Sequence, residues 1–388
     1  MKKVRYGIIG LGNQGCTYNL GLFDKGAVPQ SEVTAMCDVN PQKIEYMKSK
    51  TTNETAVYFT DYKEMLDSGL VDAVLVEVPH YQHPEMVMEC LKRGIHVICE
   101  KPAGVYAKQV REMNEFAKER NALFGMMFNQ RMNPLYQKMR EMVQSGEVGE
   151  LMRVNWVITD WYRTQAYYDS GSWRATWSGE GGGVLINQCP HQLDLVQWIV
   201  GKLPVKVNGF CQYGRWHDIE VEDEVTAYFE YDNGATGVFV TTTGEAPGVN
   251  RFEITGTLGR LVCENEKLTF YRNQEDLATH VKTCKGGFSR PACVVEEVKV
   301  EGVATHHAGV INNFSAAIMG EEELFVRGED GINGVQLMNA IEFSGWNGGV
   351  KVSLPVDEEA YLALLKEKCA NSKNKQVEEK VTDTSGTY

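Results

Sequence analysis

The sequence predicts an α/β protein in two parts: a doubly wound parallel sheet, then an α+β part built on a large open, mostly antiparallel sheet. Three observations predict it. Apolar runs and amphipathic stretches alternate over the first third of the chain, a pattern that puts helices on both faces of a parallel sheet. A glycine-rich turn closes the first of those runs. From about residue 150, extended runs instead follow one another with turns between them.

The elements follow in order. A β-branched run at 4–9 ends at Gly10-Leu11-Gly12-Asn13-Gln14-Gly15. Further apolar runs cover 33–37, ending at Asp38; 73–78, followed by Pro79; 95–99, ending at Glu100-Lys101-Pro102; and 123–128. Helical spacing over 84–91 aligns Met86, Val87, Cys90 and Leu91, closed by Gly94, and 107–120 reads as another helix. In the second part 205–213, 224–231, 235–243, 251–257 and 267–272 read as strands. Asp232-Asn233-Gly234 marks a hairpin, because Asn-Gly tolerates positive φ. Helices are expected at 185–200, 307–319 and 332–345. The domain boundaries expected are 1–128 and 129–370, with a polar, frayed tail over 371–388.

Composition bounds the function. The 388 residues suit two or three domains. Hydrophobic residues at 43% and charged residues at 23% exclude disorder and a low-complexity fibre for most of the chain. The net charge of −13 argues against nucleic acid or an anionic membrane as partner, since both call for a basic field. Ten cysteines without a CxxC pair read as reduced, mostly buried thiols. The start, MKKVRYGIIG, has too short an apolar stretch for a leader, and no apolar run is long enough to span a membrane. The expectation is a cytoplasmic protein.

Gly10-x-Gly12-x-x-Gly15 lies between a strand and a helical stretch. In that setting the first glycine permits the turn, the second admits a pyrophosphate to the backbone, and the third lets helix pack on strand. The helix start then offers free N–H groups to the anion. Asp38 ends the next strand, 23 positions past Gly15. A carboxylate there accepts from ribose hydroxyls and repels a 2′-phosphate, so the turn predicts NAD in preference to NADP. A plain glycine turn is the alternative.

Lys101 ends a strand, where open α/β sheets bind ligands. It is either an ammonium aimed into that crevice or a surface lysine before a turn. In Gly181-Gly182-Gly183-Val-Leu-Ile-Asn187-Gln188-Cys189-Pro190-His191-Gln192-Leu193-Asp194, helical spacing puts Asn187 and His191 on one face, and His191 within reach of Asp194. Pro190 kinks that helix or opens it. A helix start here favours neutral His191, able to accept a proton. A satisfied structural histidine is the alternative. Cys189-Pro190-His191 is too tight for two zinc ligands, and no metal is expected. Residues 161–174, including Trp161, Arg163, Tyr167, Tyr168, Asp169, Trp173 and Arg174, form either a sugar-binding platform or an aromatic cluster under a long loop. His306 and His307 either line the pocket or serve as polar helix-entry residues.

The GLGNQG turn, the EKP at 100–102 and the GGG…Asn…His…Asp segment together resemble the Gfo/Idh/MocA oxidoreductases, named after glucose–fructose oxidoreductase and inositol dehydrogenase. Pro79 and His83, Asn129-Gln130-Arg131, the stretch 314–318 and Leu354-Pro355-Val356 extend the resemblance over nearly the whole chain. It implies an NAD-binding Rossmann domain and a second α/β domain whose open sheet carries a homodimer or homotetramer contact. Substrate would lie between them. Gly10, Gly12, Asn13, Gln14, Gly15, Asp38, Pro79, His83, Glu100 and Asn129 fall to the cofactor, with Trp173 and Arg174 reaching its phosphates. Lys101 and His191 would handle a hydroxyl proton, with Asn187 at the usual aspartate position. That asparagine departs from the pattern: an amide cannot raise a histidine pKa as a carboxylate does, which moves more of the proton transfer onto Lys101. Arg163, Tyr168, Asp169 and His306 are the expected sugar contacts. The implied activity is a sugar or polyol dehydrogenase, resembling members that oxidise glycosides or anhydro-sugars at the pyranose 3-hydroxyl. Two alternatives are redox-neutral glycoside cleavage through a 3-keto intermediate and a non-catalytic NAD or sugar sensor.

Overall fold

A computed structural model describes residues 3–373 and 375, and two sheets organise them. The first holds β1 (Val4–Ile9), β2 (Ser31–Cys37), β3 (Val57–Phe59), β4 (Ala73–Val76), β5 (His96–Cys99) and β6 (Phe124–Met126). All pairs are parallel, in the order β3-β2-β1-β4-β5-β6. Parallel strands between helices are buried on both faces. Tyr6, Ile8, Val74, Leu75, Val97 and Ile98 accordingly lose all exposure. The order reverses between β1 and β4, and a crevice opens at such a switch point beyond the strand ends.

The second sheet has nine strands: β7 (Leu151–Ile158), β8 (Lys206–Tyr213), β9 (Glu222–Glu230), β10 (Thr236–Thr242), β11 (Asn250–Gly256), β12 (Gly259–Glu264), β13 (Lys267–Asn273), β14 (Cys293–Glu297) and β15 (Val352–Ser353). Their order is β14-β13-β12-β11-β7-β10-β9-β8-β15, antiparallel except for β10 on β7. Alternation sets its faces. Trp156, Phe239 and Phe252 pack inward, with Trp156 stacked on Phe252 at 4.2 Å between ring centres. The helix Gly331–Trp346 lies on this face so closely that a Cβ on Gly209 would meet the Ile341 carbonyl at 2.2 Å. The hairpin at 232–234 is present, with Gly234 at φ +84.

Both sheets are as predicted, and several elements differ. β3, β7, β12, β14 and β15 escaped the sequence reading, as did the helices Pro134–Gln144 and Glu358–Ala370. The helix expected over 185–200 is two: Val184–Asn187 and Pro190–Val200. Pro190 has no N–H to continue a helix and opens the second one instead. Cys37, Cys90, Cys99, Cys189 and Cys263 are buried; the other five thiols are partly or fully exposed, and all ten are free. Among the described residues no helix is long and apolar enough to cross a membrane. The predicted tail lies largely outside the described residues.

Candidate active site

The glycine turn is built as its spacing requires. Gly10 has φ +98, and a Cβ there would sit 2.1 Å from the Glu77 carbonyl oxygen. A Cβ on Gly15 would sit 2.0 Å from the Gly10 carbonyl oxygen. Gly12 differs: a Cβ on it would meet nothing within 4 Å. The backbone is therefore locked on both sides of an open cradle. Asn13 and Gln14 begin the helix that follows. Asp38 is buried; its Oδ2 accepts from Leu11 N–H at 2.7 Å and its Oδ1 from Asn40 N–H at 2.8 Å. Each carboxylate oxygen retains a further lone pair. An open cradle at a helix start, with an acceptor at the next strand end, fits a dinucleotide.

Beyond the ends of β4 and β5 lies a cluster of buried charge. Glu100 Oε1 accepts from the Tyr18 hydroxyl, and Oε2 from Lys101 N–H at 2.9 Å. Burial raises its pKa, and the Lys101 charge pulls it back. Both carboxyl oxygens of Glu77 are buried without a hydrogen-bond partner among the described residues. Burial, and then Glu100, push the Glu77 pKa well up. Lys101 Nζ donates to the Asn187 backbone carbonyl at 2.9 Å. Burial lowers the Lys101 pKa, while Glu100 and Glu180 raise it.

His191 follows Pro190 in the first turn of its helix and is buried. Its Nδ1 has no hydrogen-bond partner among the described residues. Burial, then the charge of Lys101, hold the imidazole neutral far below its ordinary pKa. Neutrality was expected from the helix start; burial is the larger cause. Asn187 lies in a separate helical turn, so the shared face inferred from one continuous helix does not exist. Its Nδ2 donates to Glu180 Oε1, and its Oδ1 accepts from the Tyr167 hydroxyl at 3.2 Å. Asp194 does not serve His191. It accepts from Arg131 Nε at 2.7 Å and Nη2 at 2.5 Å.

The remaining predicted residues divide. Arg174 donates to the Tyr167 hydroxyl at 2.9 Å and lies over the Tyr167 and Trp173 rings at 4.6 Å each. Trp173 in turn meets His80 edge-on at 5.8 Å. Arg163 lies over Trp161 and Tyr167, and its charge reaches Lys101. Asn129 is buried, with its amide 3.4 Å from His307 Nδ1. Pro79 precedes the short turn His80–Gln82 after β4. The other candidates are placed as follows. Tyr168 is buried and donates its hydroxyl to Thr243 Oγ1 at 2.8 Å, so its neighbour Tyr167 is the one beside Asn187. His83 is buried with both ring nitrogens 2.7 Å from backbone carbonyls, those of Pro102 and Val78, and as a neutral ring it donates to one of them. His306 is exposed at φ +47, and His307 faces inward instead. Burial lowers the His307 pKa to about 4. Asp169 is exposed and accepts from Gln165.

Sequence reasoning missed Glu77, Glu180 and His80, and had Tyr167 only as a member of the aromatic stretch. Glu77 had a signal, a carboxylate inside an apolar run, and Glu180 sits directly before the glycine triplet. Among the described residues no cluster of three metal-ligating side chains exists.

Comparison with known proteins agrees with this geometry. Residues 4–128 match the family model described as the oxidoreductase family, NAD-binding Rossmann fold, and residues 136–262 match the GFO/IDH/MocA C-terminal domain. The protein is thus an NAD-binding oxidoreductase. The chain belongs to the Gfo/Idh/MocA family. The myo-inositol 2-dehydrogenase of Thermotoga maritima is 27% identical over 275 residues, covering 69% of this chain and 77% of its own. The levoglucosan dehydrogenase of Pseudarthrobacter phenanthrenivorans is 25% identical over 300 residues, 69% of this chain and 75% of its own. A levoglucosan dehydrogenase solved in complex with NADH and levoglucosan shares the fold at a TM-score of 0.75 and 20% identity, over 91% of this chain and 100% of that one.

Proposed function

We propose that this chain moves a hydride between NAD and a secondary alcohol of a pyranose or cyclic polyol, at the 3-position in a pyranose, and that Lys101 and His191 handle the hydroxyl proton. One observation supports the reading above the others. A half-buried lysine, bonded through Nζ to the Asn187 carbonyl, shares its cleft with a buried neutral imidazole whose Nδ1 lacks a partner among the described residues. A lysine whose pKa burial lowers from its ordinary value and a neutral histidine are both groups that can accept a proton. The relatives named for inositol and levoglucosan, both cyclic polyhydroxy compounds, support the substrate class.

NAD held along Gly10, Gly12, Asn13, Gln14, Gly15 and Asp38 supplies a hydride acceptor. Lys101 takes or returns the proton at Nζ, and His191, kept neutral chiefly by its burial, is the second acceptor. Asn187 and Tyr167 orient the sugar hydroxyls, and Arg163 reaches the same space from the aromatic loop. Trp173 and Arg174 serve the cofactor side.

The test is NADH formation over a panel of hexoses, inositols, anhydro-sugars and glycosides, with product analysis to locate the oxidised carbon. Lys101→Ala should lose about 100-fold or more in kcat on the best substrate. Equal rates in the two proteins would remove Lys101 from the mechanism, and oxidation at another carbon would sink the 3-position.

A further inference from the structure

Position 187 carries an amide, which brings no charge to the lysine beside it. A carboxylate reaches the same place from elsewhere. Glu180, seven residues upstream, is 2% exposed and accepts on Oε1 from Asn187 Nδ2. Its Oε2 accepts from Ala175 N–H at 2.5 Å. Burial raises the Glu180 pKa, and Arg174, the Ala175 N–H, the Asn187 amide and Lys101 pull it back. Arg174 Nη1 lies 3.8 Å from Oε1. The Glu180 backbone carbonyl lies 3.1 Å from His80 Nδ1. One residue therefore ties the end of the parallel sheet, the aromatic loop and the turn that carries Asn187. A carboxylate this deep is costly unless charges and hydrogen bonds compensate. The cations that do so are Arg174 and Lys101.

We infer that Glu180 supplies the carboxylate that position 187 lacks, fixing the Asn187 amide and holding the charge of Lys101 in the cleft. It is a positioning residue: it acts through Asn187, whose Oδ1 it turns toward Tyr167 and whose carbonyl receives Lys101 Nζ. The inference rests on the reading of Lys101 as a proton acceptor. The groups facing Lys101 set the sign of the test. Glu100 and Glu180 favour its ammonium, Arg174 and Arg163 oppose it, and Glu77, whose pKa burial pushes well up, faces it as well. His80, His83, His191 and His307 surround it as neutral rings, and the Cys189 thiol lies within its field. Removing the negative charge of Glu180 moves the Lys101 titration to lower pH.

The experiment compares wild type, Glu180→Gln and the swap Asn187→Asp/Glu180→Gln in the full chain. Two readouts are taken: the titration of Lys101 by NMR of 15N-labelled lysine, assigned with Lys101→Arg, and the pH profile of kcat. Glu180→Gln should titrate Lys101 at lower pH, shift the acid limb of kcat the same way, and reduce kcat about tenfold to a hundredfold, with KM for NAD unchanged. The swap should restore both the titration and kcat, which a purely structural role would not do. If Glu180→Gln does not fold, the swap against wild type carries the test, and a Lys101 titration displaced from wild type overturns the inference. An unchanged titration and limb in folded Glu180→Gln overturns it as well. A wild type that turns over no sugar sinks the proposed activity instead, and the Lys101 titration still decides the role of Glu180.

Discussion

Arg131 shows what a single buried charge does in this molecule. Its guanidinium is 1% exposed, gripped by Asp194 through two nitrogens and by Asp330 through the third at 2.6 Å. The rings of Phe128 and Trp198 lie against it at 5.2 Å. It joins the turn after β6, the helix Pro190–Val200 and the turn Gly328–Asp330, so the helix that carries His191 is anchored by it. Arg131→Met leaves Asp194 buried without its partner, and the expected cost is about 3–5 kcal/mol, read as a lowered urea midpoint. A midpoint within error of wild type would show that the pair contributes nothing net. The histidines act at the same scale. His307 is neutral in the fold down to about pH 4, whereas an unfolded histidine takes its proton near its ordinary pKa of 6.5. Between those values the unfolded chain binds the extra proton, so stability at this site is intact above 6.5 and drains as pH falls toward 4. His307→Gln should therefore lose less thermal stability than wild type between neutral and mildly acidic pH, measured by calorimetry. Parallel losses in the two proteins would remove His307 from the acid response.

The glycine turn is the element most nearly written in the chain, because its three demands are local. Gly10→Ala must place a Cβ 2.1 Å from a backbone oxygen at positive φ, and strain of about 1–3 kcal/mol should appear as a lowered thermal midpoint. Gly12→Ala meets no protein atom within 4 Å, so the midpoint should hold while NADH affinity, read by fluorescence titration, falls. If both variants bind NADH equally well, the cradle is not the binding surface. Length decided only part of the legibility: the eight-residue β7 was missed and the three-residue β6 was seen. β1 and β2 are long apolar runs and were visible; β3 spans three residues and β15 two, too few to show a period. Pro134–Gln144 carried good signals, an Asn133 side chain that caps it and a proline in its first turn, and was still missed. The break between Val184–Asn187 and Pro190–Val200 was half legible: Pro190 announced a boundary, but nothing local said that Gln188 and Cys189 would separate two helices.

At the scale of the whole molecule, the strand order brings the ends of β1, β4 and β5 together and sets the cluster of Lys101, Glu77 and Glu100 beside the glycine turn. The nine-stranded sheet offers its outer face to solvent. Phe210 opposes Thr226, and Val238 opposes Tyr228, so these residues share that face, with Phe210 56% exposed. We propose that this face joins copies of the chain, and light scattering should give two or four times the 43.5 kDa chain mass, with Phe210→Glu lowering it; a monomeric wild type would refute that assembly. Hydrophobic period, turn chemistry and the glycine spacing were determined by the sequence alone, because each depends on neighbours within a few residues. Which charges meet was decided by tertiary structure. Asp194 looked placed for His191 and went to Arg131, 63 residues away; Lys101 found the Asn187 carbonyl across 86 residues; and the inward histidine proved to be 307, not 306. Such pairings depend on how the two sheets pack, and side chains distant in sequence become partners only after burial makes an unpaired charge costly.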